Sequence, residues 1–278
     1  MTDDRDHVSW DLGQVAGVSD RGLRHSRNED AMHFAVADTD AGPVAVAIVC
    51  DGVSSAPRPD EASWAAVNAG ITLLAEGAER GDDPAAISRA AVKSAGRALT
   101  ELARQEGAPA TTYVSAVVSQ RQITVCWLGD SRAYWLAANV PAPAGPSDTI
   151  DITGGSRRVT RDDSLAEEIV AAGLATMDEA MASPQAHVIT RWLGADVAKP
   201  QAHVLRFEPP GPGVVLICSD GLWNYRPDAL GLAKLALPAA LTDPLGAAGT
   251  LLTFALQAGG MDNITVVLAP FPLVRPAT

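Results

Sequence analysis

Val215-Leu216-Ile217-Cys218-Ser219-Asp220-Gly221-Leu222-Trp223 is an apolar run of strand length that ends in a carboxylate, a glycine and a segment of helical character. The apolar run predicts a strand whose side chains are buried in a core. The carboxylate follows where the strand ends, at an edge that a ligand can reach. The stretch therefore predicts a buried strand that leads to a functional site.

The same design recurs along the chain. Residues 44–50 form an apolar run before Asp51, and residues 123–128 form a weaker run before Asp130. Elsewhere, acidic residues stand just before an apolar run. The acids that follow or precede an apolar run are Glu29, Asp30, Asp51, Asp130, Asp220 and Asp262. We interpret the chain as a scaffold that brings these carboxylates to one cleft.

Length and charge limit the classes of function. The chain has 278 residues and a formal net charge of -12. A diffuse negative field disfavours nucleic acid or an anionic membrane as a partner, and it suits the binding of cations. The first residues do not have the pattern of a signal peptide, and no apolar run approaches the ~20 residues of a membrane helix. We therefore expect a cytoplasmic protein without a membrane segment.

The three cysteines support the same location. Cys50, Cys126 and Cys218 lie within apolar, strand-like runs. An odd number of cysteines in such settings is typical of buried free thiols. Free thiols favour a reducing compartment.

The predicted helices are grouped rather than alternating with strands. They span residues 61–79, 85–105, 164–173, 177–181, 229–237 and 244–257. The strands between these groups are joined by short connections, which favours antiparallel sheets. We therefore predict an α+β sandwich rather than a doubly wound parallel sheet.

An acidic site of this kind indicates a hard divalent cation. Mg²⁺ and Mn²⁺ prefer oxygen ligands and retain water. The five histidines show no paired metal-ligand spacing and the chain has no Cys-x-x-Cys pair, so zinc is not favoured. A bound divalent ion acidifies water into a nucleophile, and a phosphate ester is the natural electrophile for such a site. The alternative is that the Asp-Gly pairs are only turns.

Five short motifs stand in a recognisable order. They are Arg27-Asn28-Glu29-Asp30, Cys50-Asp51-Gly52, Gly129-Asp130-Ser131-Arg132, Ser219-Asp220-Gly221-Leu222 and Asp262-Asn263-Ile264-Thr265. In this order they resemble the bacterial type of the metal-dependent protein phosphatases, the protein phosphatase 2C family, over about residues 12–269. The resemblance implies a four-layer α-β-β-α sandwich, with two central antiparallel sheets flanked by helix pairs. It also implies a binuclear Mn²⁺ or Mg²⁺ centre at one end.

The resemblance assigns catalytic and metal-binding roles to motif residues. Asp51 matches the ligand that bridges the two ions, and the backbone carbonyl of Gly52 matches a group that helps to hold one of them. Asp220 and Asp262 match terminal ligands of the other ion. The resemblance therefore implies that Asp51, Asp220 and Asp262 carry the catalytic centre.

The remaining motif acids have supporting roles in the family. Glu29 and Asp30 match an acidic pair that orients water at the ions. Asp130 matches a ligand of a third, weaker ion in bacterial members. A carboxylate at this position could instead simply pair with Arg132.

The implied reaction is one-step hydrolysis of phosphoserine or phosphothreonine in proteins. A hydroxide that bridges the two ions attacks phosphorus in line with the leaving oxygen, without a covalent phosphoenzyme. The expected partners are phosphorylated proteins, a Ser/Thr kinase or its targets among them, and the protein is expected to be a monomer. Two other interpretations stay open. One is a catalytically weak or inactive family member that binds phosphoproteins, and the other is a cation-binding protein without chemistry.

A single phosphatase domain is predicted over residues 11–270. Flexible tails are predicted at residues 1–10 and 271–278. Within the domain, residues 139–155 are a surface insertion rich in Pro, Ala and Gly. Residues 161–196 resemble the flap beside the active site of bacterial members.

The groups that contact the phosphate are the least defined. The family usually has an arginine four residues before the metal-site glutamate, where this chain has His25. A histidine can donate a hydrogen bond but lacks the bidentate fork of arginine. We hypothesise that Arg24, Arg27 or a protonated His25 makes this contact; the alternative is that His25 only packs. Arg191 in the flap could meet a phosphate or a backbone carbonyl.

Overall fold

The structure, a computed structural model, describes residues 5–104, 107–138, 155–197 and 199–273. The strands are β1 (His7–Asp11), β2 (Ala16–Asp20), β3 (Asp30–Thr39), β4 (Gly42–Asp51), β5 (Ala110–Thr111), β6 (Tyr113–Val118), β7 (Ile123–Leu128), β8 (Arg132–Ala137), β9 (Arg157–Arg158), β10 (Leu193–Gly194), β11 (His203–Phe207), β12 (Gly213–Cys218) and β13 (Ile264–Phe271). The helices are α1 (Pro59–Glu79), α2 (Pro84–Ala103), α3 (Leu165–Ala171), α4 (Met177–Met181), α5 (Asp220–Trp223), α6 (Ala229–Ala240) and α7 (Pro244–Ala258).

Two antiparallel sheets form the centre of the molecule. One is six-stranded, in the order β1-β2-β13-β12-β8-β9, and the other is five-stranded, in the order β11-β7-β6-β4-β3. Phe34 and Val49 of the five-stranded sheet share a core with Trp135 and Val267 of the six-stranded sheet. The two sheets therefore bury their inner faces against each other, as in a sandwich.

Helix pairs cover the outer faces. Alanine-rich α1 and α2 bury residues such as Leu74 and Leu99 against the five-stranded sheet. On the opposite side, α6 and α7 bury Leu232 and Leu251 against the six-stranded sheet. This arrangement confirms the predicted four-layer α-β-β-α sandwich. No described helix combines the length and the apolar composition that a membrane crossing requires.

The N-terminal segment differs from the prediction. The predicted tail at residues 1–10 is wrong from His7 onward, because β1 pairs with β2 along its length. Trp10 stabilises this strand, with its ring 5.0 Å from that of His33 and 4.8 Å from that of Phe34. Ring contacts between Trp10 and residues of β3, rather than an apolar run in the sequence, hold the segment against the sandwich.

The C-terminal boundary of the domain also differs from the prediction. The last strand runs to Phe271, and Leu273 is buried, so the predicted tail at residues 271–278 is wrong for its first residues. The predicted insertion at residues 139–155 lies outside the described residues except for Gly155.

Candidate active site

Asp30 and Asp51 lie side by side at one edge of the five-stranded sheet. Asp30 begins β3, Asp51 ends β4, and the register pairs the two residues directly. Cβ atoms of such cross-strand neighbours are about 4.5–5.5 Å apart. The Oγ of Ser219, which follows β12 of the other sheet, donates a hydrogen bond of 2.6 Å to Asp30 Oδ2. This bond joins the two sheets at the site.

The six-stranded sheet delivers two more carboxylates. Asp220 begins α5 directly after β12, and Asp262 comes just before β13, which is the neighbour of β12. Gly221 permits this close approach, since a Cβ there would lie 1.9 Å from the carbonyl oxygen of Asn263. Asp220 and Asp262 therefore meet at the same end of the sandwich as Asp51.

Asp130 occupies the connection between the two sheets, after β7 and before β8. The charge of Arg132 acts on Asp130, but Arg132 makes its hydrogen bonds elsewhere, donating from Nε and Nη2 to Asp162 at 3.0 and 2.6 Å. The Arg132 guanidinium also lies 3.5 Å above the Trp223 ring, and Trp223 Nε1 donates to the backbone oxygen of Asp130 at 2.9 Å. The alternative that Asp130 pairs with Arg132 is therefore wrong.

The gathered carboxylates perturb one another. Burial, chiefly, raises the pKa of Asp30 to about 7, with a contribution from the charges of Asp220 and Asp262. Burial and the neighbouring Asp262 raise the pKa of Asp220 to about 7. Burial first, and then other carboxylates, raise the pKa values of Asp51 and Asp130 well above the usual range. Such a cluster requires protons or cations to offset its charge.

A divalent cation suits this donor set. Asp30 Oδ1 is buried and has no hydrogen-bond partner among the described residues, and Asp51 and Asp220 are close enough to share a hydrogen bond. In the described part of the chain, no three His, Cys, Asp or Glu side chains are grouped so that they could hold an ion by themselves. Ions here would need the Gly52 carbonyl and water as further ligands, which is the habit of Mg²⁺.

Several residues next to the motif acids have roles that the sequence interpretation missed. Ser54 Oγ donates to Glu29 Oε2 at 2.6 Å, so the loop after β4 orients this carboxylate. Asn263 Oδ1 accepts from the backbone N–H of Glu29 at 2.8 Å, and its Nδ2 donates to the carbonyl oxygens of Arg21 and Arg27. The sequence shows only that these residues lie near motif acids. It does not show which groups their side chains bond.

Two of the three residues predicted to contact the phosphate are bound to other side chains. His25 Nε2 lies 3.2 Å from Asp262 Oδ1, and Arg27 Nη1 donates to Asp60 at 3.1 Å. Arg24 is exposed. None of the three predicted phosphate-binding residues, all within the described ranges, lines the cleft.

Arg191 also takes a different partner. Its Nη1 lies 3.5 Å from Asp163 Oδ1 and 3.2 Å from His203 Nε2. Arg191 does not line the carboxylate cleft. Its guanidinium is held by these two side chains, and a contact with a substrate phosphate stays a prediction.

Four of the six predicted acids, all except Glu29 and Asp30, line a cleft of about 560 Å³. Its lining residues are Asp51, Gly52, Val53, Ser54, Ser55, Ala56, Ala108, Ala110, Thr112, Asp130, His187, Val188, Ile189, Trp192, Asp196, Asp220 and Asp262. The segment predicted as a flap, residues 161–196, thus contributes side chains to the same cleft as the strand-end acids.

The flap has a small core of its own. Ala166, Ala180 and Ala186 form a cluster separate from the three larger cores. Glu167 of α3 accepts from the guanidinium groups of Arg158 and Arg161, with Arg161 Nε at 3.1 Å from Glu167 Oε2. Ionic contacts therefore contribute to holding the flap against the sandwich.

Comparison with known proteins agrees with this architecture. Residues 21–235 match the family model described as Protein phosphatase 2C. The serine/threonine phosphatase stp of Listeria innocua is 31% identical over 166 residues, which are 59% of this chain and 58% of that protein. This chain spans about half the length of the curated relatives it matches.

Solved structures extend the agreement along the chain. The crystal structure of the Mycobacterium tuberculosis serine/threonine phosphatase PstP/Ppp has a TM-score of 0.73 at 26% identity, covering 92% of this chain and 97% of that chain. The PstP catalytic domain in complex with 2 manganese ions has a TM-score of 0.70 at 25% identity, with the same coverage. Because the family model matches well over half of the sequence and the fold agrees along nearly all of it, this chain belongs to the protein phosphatase 2C family.

Proposed function

We propose that this chain is a metal-dependent phosphoserine and phosphothreonine protein phosphatase. The observation that carries the proposal is the convergence of Asp51, Asp130 and Asp220, with raised pKa values, in one cleft. Relatives named serine/threonine phosphatases, and the manganese complex of one of them, support it.

The proposed metal ligands come from both sheets. Asp51, the Gly52 carbonyl, Asp220 and Asp262 would hold two Mn²⁺ or Mg²⁺ ions, and Asp130 would hold a third. When bound, the ions acidify water and neutralise charge on the phosphate oxygens. Because the ligands arise from strand ends of a packed sandwich, their positions are set before substrate arrives.

Glu29 and Asp30 would handle water. Asp30 Oδ2 is held by Ser219, while the buried Oδ1 has no hydrogen-bond partner among the described residues and would accept a hydrogen bond from a water molecule held at the ions. Glu29 is oriented through its side chain by Ser54 and through its backbone by Asn263. Two carboxylates on adjacent positions can thus direct a water molecule toward the phosphorus in line with the leaving oxygen.

The proposed substrates are phosphorylated proteins, a Ser/Thr kinase or its targets among them. We also propose that the protein acts on them as a monomer.

The contact between His25 and Asp262 favours a second candidate. A family member without an arginine at the usual phosphate position could bind phosphoproteins without efficient turnover. This candidate predicts tight Mn²⁺ binding and phosphopeptide binding, but no phosphate release.

The test is hydrolysis of p-nitrophenyl phosphate and of a phosphothreonine peptide, with Mn²⁺, with Mg²⁺ and with EDTA. Asp220→Asn should abolish turnover, and Asp40→Asn, in the exposed β3–β4 turn, should leave it unchanged. Turnover that persists in EDTA contradicts metal dependence. An inactive wild-type protein that binds Mn²⁺ in calorimetry favours the binding module.

A further inference from the structure

The cleft combines carboxylates with apolar side chains. The flap contributes Val188 and Ile189, and the loop after β4 contributes Val53 and Ala56. A free phosphate group needs only the acidic part, through its ions. The apolar lining therefore serves some other part of a substrate.

Val188 is held in an exposed position. Val188 is 53% exposed. Its backbone N–H donates to the Gln185 oxygen at 3.0 Å, and its carbonyl accepts from the Leu165 N–H at 2.9 Å. The next residue, Ile189, forms an antiparallel bridge with Ser164. Val188 is not a lone exposed apolar residue, because it lines the cleft together with Ile189, Val53 and Ala56, and contiguous apolar surface of this kind marks a binding site.

The other apolar segment is also tied down. The backbone N–H of Val53 donates to the Ala110 oxygen at 3.0 Å, and that of Ala56 donates to the Val53 oxygen at 2.8 Å. Ala110 itself lines the cleft. Substrate can thus meet apolar groups that do not need to be ordered on binding, which lowers the entropic cost of the contact.

The charge of the cleft selects against one class of neighbour. Among its described lining residues there is no Lys or Arg, and Asp196 adds a further acid close to Trp192. Divalent ions would offset the carboxylates that hold them, and Asp196 of the flap is not one of these proposed ligands. An acidic residue beside the phosphorylated residue would therefore be repelled.

We propose that the cleft prefers phosphopeptides with apolar residues next to the phosphorylated residue and rejects acidic neighbours, with Val188 as a specificity-determining residue. This inference rests on the proposed phosphatase function and names its substrate class. An apolar contact in a partly open cleft gives about a 10-fold preference, at the low end of the discrimination that hydrophobic pockets achieve.

The experiment uses three phosphothreonine peptides that differ only in the residues directly before and after the phosphothreonine: Leu, Ser or Glu. With Mn²⁺, the wild-type kcat/KM should be about 10-fold higher for the Leu peptide than for the Ser peptide, and lowest for the Glu peptide. Val188→Ser should reduce the Leu-to-Ser ratio to within about 2-fold. Leu174→Ser is the matched control, because Leu174 is 78% exposed on the flap and does not line the cleft.

The outcomes separate the two proposals. Turnover of all three peptides at equal kcat/KM overturns the preference and leaves the phosphatase function standing. A wild-type preference that Val188→Ser does not change overturns the role of Val188. If neither the peptides nor p-nitrophenyl phosphate are hydrolysed with Mn²⁺, the phosphatase function falls and this inference falls with it.

Discussion

His25 Nε2 lies 3.2 Å from Asp262 Oδ1, so the residue at the usual phosphate-contact position touches a proposed metal ligand instead. The backbone of His25 is fixed as well, because Arg21 Nη1 donates to its carbonyl oxygen at 2.8 Å. A hydrogen bond to the outer oxygen of a ligand orients that ligand toward its ion. His25 is therefore placed to act on the metal site rather than on the phosphate.

His25→Ala should weaken Mn²⁺ binding about 10-fold, the usual effect of losing a group that orients a metal ligand. Calorimetric titration of the metal-free protein measures the dissociation constant. His7→Ala is the matched control, because His7 makes a similar contact with Asp20, 2.7 Å long, in an exposed position. A rise in KM for a phosphopeptide with unchanged Mn²⁺ affinity would instead identify His25 as a phosphate contact.

The metal-free protein should lose stability as the pH rises. Asp30 and Asp220 have pKa values raised from 3.8 to about 7, so the folded state binds their protons more tightly than the unfolded chain does. The free energy of unfolding therefore falls from about pH 4 to about pH 7 as these two groups lose their protons. Tm measured in EDTA should decrease between pH 5 and pH 8.

Asp220→Asn provides the control for this pH dependence. It removes one of the acids whose pKa is raised, so the slope of Tm against pH in EDTA should become shallower. Saturating Mn²⁺ should raise the wild-type Tm most at pH 8, where the carboxylates are ionised. A Tm in EDTA that is flat or rising across this range contradicts the raised pKa values.

Arg132→Met should destabilise the protein by about 3–5 kcal/mol, because it leaves the buried Asp162 carboxylate with only the more distant Arg158, whose Nη1 lies 3.7 Å away. Urea denaturation of the two proteins measures the difference. Arg104→Met, which breaks the exposed pair with Glu101, should change stability by less than about 1 kcal/mol. Equal effects of the two substitutions would show that burial of the Arg132 pair is energetically unimportant.

Gly52→Ala should destabilise the protein by about 1–3 kcal/mol, the range for overpacked sites. A Cβ at Gly52 would lie 2.4 Å from the Pro59 carbonyl oxygen and 2.8 Å from that of Glu29, and neither is a flexible side chain. Gly249→Ala in α7 meets open space and should stabilise by up to about 1 kcal/mol through helix propensity. Thermal melting of both variants measures this opposite pair of effects.

The layers of the fold and the identity of the acidic cluster could be predicted from the sequence. Helices such as α4 begin and end where the pattern places them, because apolar spacing and caps such as Thr176 act over a few residues. Strand-end carboxylates converge because antiparallel neighbours bring Asp30 beside Asp51. These features depend on local signals plus a regular sheet.

The partners of individual side chains could not be predicted in this way. Arg132 is close in sequence to Asp130, but in the fold it bonds Asp162 while its guanidinium stacks on Trp223. The hydrogen bond from Ser219 to Asp30 joins residues 189 positions apart. Such contacts follow from tertiary packing, which no short window of sequence contains.

The alanine cluster of the flap has a consequence for fidelity. Three buried alanines, with the partly buried Ile169, Val170 and Ala175 around them, bury less apolar area than the cores of the sandwich. The contact of Glu167 with Arg161, whose side chain is half-exposed, also weakens as salt screens it. Local opening of the flap therefore requires less free energy than opening of the sandwich that carries the carboxylates. If Val188 sets substrate preference, warming or added salt should reduce the preference between peptides before it reduces the rate of hydrolysis. Substrate preference thus depends on the less stable flap and hydrolysis on the more stable sandwich. Preference can therefore change while the catalytic carboxylates stay in place.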